Sequence, residues 1–152
     1  MVNSFIRVDS FLDDMNREDC FDTKDMDGVT KNFKVVLASD CPSSIGACLD
    51  AEGTLNDDVT LIDTLGEDDG LLALNWISGI NGERTMSVAS SMLVYEFPDV
   101  DIQIKAAFLV SYRNGSGYVM AYNIDNVSLE VPKNKELIVP ISDTIVSFTY
   151  RV

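Results

Sequence analysis

The chain has 152 residues, of which 46% are hydrophobic, and it carries a formal net charge of −14. This length suits one globular domain, and the hydrophobic fraction is too high for a disordered chain. No apolar run approaches the ~18 residues of a membrane-spanning helix. The N-terminus lacks the basic-then-apolar order of a signal peptide. We therefore expect neither membrane association nor secretion.

The negative charge lies mainly in the first half of the chain. Residues 1–70 contain 17 acidic and 5 basic residues, whereas residues 71–152 contain 8 and 6. A surface of this sign repels phosphate backbones, which predicts that the chain has no nucleic-acid partner. Solubility alone explains the acidity equally well.

The residue types present argue against catalysis. Histidine is absent, which removes the Ser-His-Asp and Cys-His arrangements and the commonest zinc ligand. No glycine-rich phosphate loop occurs. We therefore predict that the chain is not an enzyme and has no catalytic, cofactor-binding or metal-binding residues. Cys20, Cys41 and Cys48 form no CxxC pair, and we interpret them as free, buried thiols in a reducing cytosol.

Two acidic clusters leave a calcium site open as an alternative. Residues 23–28 resemble the start of an EF-hand loop, but Thr23 and Lys34 occupy positions that need acidic ligands. Residues 56–58 and 67–69 could bind calcium loosely through carboxylate oxygens. A solvated acidic loop is the commoner explanation of such clusters.

In chain order, residues 1–32 come first and are polar and acidic. We predict that they form an N-terminal arm with a short helix capped by Ser10. Phe11, Leu12 and Met15 would share one face of this helix. That face is too small to stabilise an isolated helix, so we expect it to contact a partner, together with Phe5.

Residues 33–152 are predicted to form an antiparallel β-domain. An irregular excursion at 46–58 and a turn at 66–70 interrupt the early part, and Asn114-Gly115 predicts a tight hairpin. Residues 71–80 suit either a strand or a short helix, and we favour a strand. The spacing of the turns favours a β-sandwich or a jelly-roll-like barrel over a parallel α/β fold. The predicted strands are residues 33–38, 59–65, 71–80, 86–97, 100–112, 117–124, 127–131, 136–141 and 145–152.

Adjacent apolar residues in this β-domain require cover on both faces of a strand. One sandwich covers a single face of each sheet well, so some apolar surface remains to be buried by the N-terminal segment or by neighbouring subunits. We therefore predict a homo-oligomer. Phe108, Tyr118 and Tyr122 are our candidate partner-contact residues in this region.

Residues 104–141 contain three blocks with a recognisable order: Ala107-Phe108-Leu109, then Gly117-Tyr118-Val119-Met120-Ala121-Tyr122, then Leu137-Ile138-Val139-Pro140. This order resembles the C-terminal segments of small all-β virion accessory proteins of tailed bacteriophages. The resemblance implies a structural component of the virion, assembled in the host cytoplasm. A capsid decoration or cement protein fits best, and a head-fibre or tail-associated protein is also compatible.

The resemblance further implies that the partners are other virion proteins, such as the major capsid protein. A different class of function remains open on the residues alone. The β-domain could be a carbohydrate- or ligand-binding sandwich, assisted by calcium at the loops of residues 56–69.

Overall fold

The structure is a computed structural model that describes residues 6–8, 29–30, 33–72, 74–78, 83–88, 92–98, 103–113, 116–130, 136–140 and 148–151. Over these residues the fold is all-β, and all strand pairs are antiparallel. The elements in chain order are β1 (Ile6–Arg7), β2 (Val29–Thr30), β3 (Phe33–Asp40), α1 (Ile45–Cys48), β4 (Thr60–Leu61), β5 (Leu74–Ser78), β6 (Glu83–Val88), β7 (Met92–Glu96), β8 (Gln103–Arg113), β9 (Ser116–Glu130), β10 (Glu136–Pro140) and β11 (Phe148–Arg151).

These strands form three sheets within the described ranges. A five-stranded sheet has the order β1-β9-β8-β3-β4, a four-stranded sheet has the order β11-β6-β5-β2, and β10 pairs with β7. Pro140 ends β10 opposite Met92. Proline has no backbone N–H to donate to a ladder, so its position suits an outer strand.

The hairpin of β8 and β9 is the centre of the five-stranded sheet. Its register pairs Arg113 with Ser116, which confirms the hairpin predicted around Asn114-Gly115. The two turn residues themselves lie outside the described ranges. Irregularities in the ladder follow Ile104 and Leu109. Such bulges increase the local twist of a long hairpin.

Several predicted strand boundaries differ from the structure. Residues 86–97 do not form one strand, because β6 pairs with β5 and β11 whereas β7 pairs with β10. In the opposite sense, β9 runs continuously through the two strands predicted at 117–124 and 127–131. The strand predicted at 59–65 is reduced to β4. Residues 71–80 contain β5, as favoured from the sequence.

The segment predicted as an N-terminal arm contributes two short strands. β1 pairs with β9, and β2 pairs with β5, so the segment reaches two different sheets. The predicted helix that begins at Ser10 lies outside the described residues. The proposed domain boundary between residues 32 and 33 remains a prediction.

The core explains how β8 is covered on both faces. All residues from 106 to 111 are buried, although their side chains alternate between the two faces of the sheet. On one face, Ala106, Phe108 and Val110 pack in a cluster with Cys41, Cys48 and Val59. Residues 41–58 include the irregular excursion predicted at 46–58, and we call them the 41–58 excursion. Together with Val59 they cover this face of the hairpin. Much of the apolar surface assigned to a partner from the sequence is buried by the chain itself.

Candidate functional site

Both outer strands of the five-stranded sheet expose a large apolar side chain. Ile6 of β1 is 56% exposed, and Leu61 of β4 is 46% exposed. Outer strands present unpaired backbone groups to solvent, and natural proteins commonly shield them with charge or keep them short. Each of these strands is two residues long. The two edges are therefore candidate surfaces for pairing with another chain.

At one of these edges, exposed residues continue along the chain beyond the end of β4. Leu61, Asp63 and Leu65 are exposed, and we call this set the β4 edge. Ile62, between them, is buried and donates its backbone N–H to the oxygen of Leu37 at 2.8 Å. Leu65 is 65% exposed. The β4 edge thus presents two leucines and a carboxylate to solvent.

The turn after the β4 edge holds β3 and β7 together. The N–H of Leu65 donates to the oxygen of Glu96 at 2.8 Å, and the N–H of Gly70 donates to the oxygen of Val94 at 3.0 Å. On the other side, the N–H of Val35 donates to the oxygen of Gly70 at 2.8 Å. The turn therefore fixes the β4 edge between two sheets through backbone hydrogen bonds.

Asp69 shapes this turn with its carboxylate. One oxygen, Oδ2, accepts the N–H of Gly66 at 2.9 Å and the N–H of Glu96 at 3.0 Å. Charged acceptors strengthen such bonds. The turn predicted at residues 66–70 is confirmed. The carboxylate of Asp69 stabilises this turn and connects it to β7.

Tyr95 anchors the same region from β7. Its buried hydroxyl donates to the oxygen of Val35 at 2.6 Å, and its ring stacks on Phe97 with centroids 6.0 Å apart. Burial raises the pKa of Tyr95 strongly, and the negative charge of Asp69 adds to the effect. The neutral, donating form is therefore favoured far above physiological pH.

The β4 edge lies in the most acidic part of the described chain. Residues 33–72 contain nine acidic residues and one basic residue, Lys34. Asp63, Glu67 and Asp68 are exposed. The ammonium of Lys34 donates to the backbone oxygen of Glu67 at 2.5 Å. A basic partner surface would match this edge electrostatically.

The 41–58 excursion is organised by short polar contacts. The carboxylate of Asp50 accepts the backbone N–H groups of Glu52 and Thr54, each at 3.0 Å, and the hydroxyl of Thr54. Hydrogen bonds from the hydroxyl and then the backbone of Thr54 hold the pKa of Asp50 below its usual value. The oxygen of Gly53 accepts the N–H of Val119 at 3.0 Å. These contacts dock the excursion against β9.

One residue of each cluster considered for calcium makes side-chain hydrogen bonds within the chain. The Asn56 side chain donates to the oxygen of Ala47 at 2.9 Å and accepts the N–H of Asp58 at 3.0 Å. Asp69 accepts the backbone N–H groups of Gly66 in its own turn and of Glu96 on β7. Across the described ranges, no group of three or more Cys, Asp or Glu side chains is placed to hold a metal ion.

The structure distributes the predicted partner-contact residues among different places. Phe108 is fully buried in the cluster beneath the excursion, so it serves the core of this chain. Tyr122 is half-buried against that cluster, opposite Ile6 in the ladder, and Tyr118 is half-buried beside Thr54. The remaining predicted residues lie outside the described ranges: Phe5, Phe11, Leu12 and Met15.

Leu61 and Leu65 were not identified from the sequence as contact residues. The sequence did indicate that one of residues 61 and 62 would be exposed, because adjacent apolar residues in a strand point to opposite faces. Only the structure shows that Ile62 faces inward and that Leu61 faces solvent.

No family model matches this chain, and no curated protein or solved structure shows significant similarity to it. Within the described ranges, the structure contains no helix with the length and apolar character needed to cross a membrane. The chain's own surface is therefore the basis for a functional proposal.

Proposed function

We propose that this chain is a structural virion component of a tailed phage, a capsid decoration or cement protein or another head accessory protein. It acts by binding the major capsid protein or other virion proteins, and it performs no catalysis. The segment that resembles such proteins supplies β8, β9 and β10. This placement supports the proposal, because the resemblance then covers the central hairpin of the fold rather than a peripheral loop.

The observation that carries the proposal is the exposure of the β4 edge. Leu61 and Leu65 offer apolar contact area, and the short outer strand offers backbone groups for strand pairing. The surrounding carboxylates restrict the partner to one with basic side chains near the contact. An exposed capsid surface that pairs an extended basic segment with this edge satisfies both requirements.

We further propose that the five-stranded and four-stranded sheets are the two layers of an antiparallel sandwich. Residues 106–111 of β8 are buried on both faces, and the excursion accounts for one of them. The opposite face needs a second apolar layer, which a packed sheet supplies at about 10 Å separation. A jelly-roll-like barrel is the alternative arrangement of the same strands.

A homo-oligomer would use the other edge of the five-stranded sheet. Two β4 edges would bring like charges together, which disfavours self-association there. The β1 edge offers the exposed Ile6 beside the half-buried Tyr122. Self-association at β1 leaves the β4 edge free for the capsid.

The first test is the composition of purified phage particles from the culture that produces this chain. Quantitative mass spectrometry should find the chain in a constant ratio to the major capsid protein. Particles that lack the chain would contradict the proposal.

The second test locates the contact by adding purified protein to particles stripped of the chain. The double variant Leu61→Asp/Leu65→Asp should bind at least about tenfold more weakly, because it removes two apolar contacts and adds charge. The control double variant Ala47→Asp/Ala51→Asp adds the same two charges at exposed positions outside the edge and should bind normally. Equal binding by both variants would place the contact elsewhere.

A further inference from the structure

Cys41 and Cys48 belong to the 41–58 excursion and pack against β8. Both are present as thiols, and their exposed fractions are 4% and 0%. They belong to the same apolar cluster on β8 and β9. The Sγ atom of Cys48 is 3.3 Å from the oxygen of Ser44 and 3.5 Å from the oxygen of Pro42, the residue after Cys41. The side chains of Cys41 and Cys48 are also hydrogen-bonded to each other.

The backbone on either side of the pair is held in place. The ammonium of Lys105 on β8 donates to the oxygen of Cys41 at 2.6 Å and lies 3.6 Å from Oδ1 of Asp40. Cys48 ends α1, whose first turn includes a hydrogen bond from the N–H of Ala47 to the oxygen of Ser44. The two sulfurs are therefore brought together by the fold.

We propose that Cys41 and Cys48 form a redox-active dithiol, which a small disulfide oxidant such as oxidised glutathione converts into an intramolecular disulfide. The thiolate of Cys41, the more exposed residue, attacks one sulfur of the oxidant and releases one molecule of thiol. The thiolate of Cys48 then attacks the Cys41 sulfur of the mixed disulfide and releases the second. Two protein thiols are oxidised, one external disulfide is reduced to two thiols, and the two thiol protons are returned to the departing thiolates.

The environment of the pair controls the rate of this reaction. Burial raises the pKa of Cys48, whereas the hydrogen bond with Cys41 and the positive charge of Lys105 lower it, and the charge of Asp58 raises it. The thiolate is the reacting form, so oxidation accelerates with increasing pH. Because both thiols are buried, the oxidant also needs a local opening of the excursion. Once formed, the disulfide ties the end of β3 to α1 and limits further opening.

The test uses the full chain with Cys20→Ser, which removes the third thiol, and oxidised glutathione at about pH 8. The expected product is a monomer about 2 Da lighter, in which both cysteines resist alkylation and proteolysis yields a peptide joining residues 41 and 48. The single variants Cys41→Ser and Cys48→Ser in the same background are the matched controls. Each should instead retain a mixed disulfide with glutathione.

A parallel reaction in urea separates the effect of the fold from that of a short loop. The effective concentration of the Cys41 thiol at Cys48 should be at least about tenfold higher in the folded chain than in urea. Three outcomes would each overturn the proposal. The thiols could stay alkylatable in the folded chain, disulfide-linked dimers could form in place of the internal bridge, or the effective concentration could be no higher than in urea. None of these outcomes depends on whether the chain binds a capsid.

Discussion

At the residue scale, Gly70 is the position where the turn after the β4 edge tolerates no side chain. Its φ is +75°, and a Cβ atom there would lie 2.3 Å from the oxygen of Val35 and 2.8 Å from Cε1 of Tyr95. Gly70→Ala should therefore destabilise the fold by about 3 kcal/mol, combining the left-handed conformation with steric overlap. Urea denaturation of the wild type and the variant measures this change.

Gly46→Ala is the matched control for that substitution. Gly46 lies in α1, and an added Cβ atom would meet no neighbour within 4 Å. Alanine is the better helix former, so the variant should be as stable as the wild type or more stable by up to about 1 kcal/mol. An equal loss of stability in Gly70→Ala and Gly46→Ala would contradict the crowded geometry at Gly70.

Tyr95 predicts a specific loss of stability at alkaline pH. Burial raises the pKa of Tyr95 in the folded chain above its ordinary value of 10.0, so the unfolded chain releases this proton first. The contribution of neutral Tyr95 to the free energy of unfolding is complete below about pH 10. At higher pH it declines by up to about 1.4 kcal/mol per pH unit. Tyr95→Phe lacks this term. At neutral pH this variant should be about 1–2 kcal/mol less stable than the wild type, because it loses the hydrogen bond to Val35. This difference in stability should become smaller as the pH rises.

Stability curves of both proteins between about pH 8 and pH 11 measure this narrowing. The difference between the two curves removes the contributions of all other groups that titrate in this range. A deficit that stays constant across the range would mean that Tyr95 ionises in the folded chain as readily as in the unfolded one.

At the element scale, locally encoded features could be predicted from the sequence. Asn-Gly supports a tight turn with positive φ, so the β8–β9 hairpin follows from two residues and the apolar runs around them. The apolar run at the start of β3 likewise marks a strand. The 86–97 segment failed as a prediction because its division depends on which distant strands pair with each half. Nothing in its local pattern marks that change of partner.

The candidate site was less predictable than the fold for a similar reason. The sequence predicts only an irregular excursion at residues 46–58. The packing of this region depends on Cys41, Cys48 and Val59 meeting β8 across a long sequence separation. Because this contact was not visible, Phe108 was assigned to a partner surface. The exposure of Leu61 and Leu65 also depends on the order of strands, which sets β4 at the edge.

Asp69 provides a test of how the turn couples β3 to β7. Asp69→Ala removes the acceptor for the N–H groups of Gly66 and Glu96, and should destabilise the fold by about 1–2 kcal/mol. The neighbouring exposed Asp68 is a matched control, and Asp68→Ala should change stability by less than about 0.5 kcal/mol. Hydrogen exchange of the Glu96 amide should accelerate in the Asp69 variant alone. Equal behaviour of both variants would contradict a structural role for the Asp69 carboxylate.

At the scale of the whole molecule, the two edges of the five-stranded sheet differ in the charge of their side chains. The β4 edge combines exposed leucines with carboxylates, whereas the β1 edge combines Ile6 with Tyr122. Apolar contacts are less sensitive to salt than charged ones. A chain that binds a basic partner at β4 and another copy at β1 therefore has two contacts that respond differently to ionic strength.

The proposed self-association at the β1 edge gives the final prediction. Ile6→Asp should weaken the oligomer by at least about tenfold, because the two-fold or cyclic contact loses an apolar group and gains a charge on each copy. Sedimentation velocity over a range of protein concentrations measures the shift toward monomer. Leu61→Asp should leave the oligomer intact, and raising the salt concentration should not dissociate it. An oligomer that survives Ile6→Asp but dissociates with Leu61→Asp would mean that copies of this chain meet at the β4 edge, which would then be unavailable to a capsid.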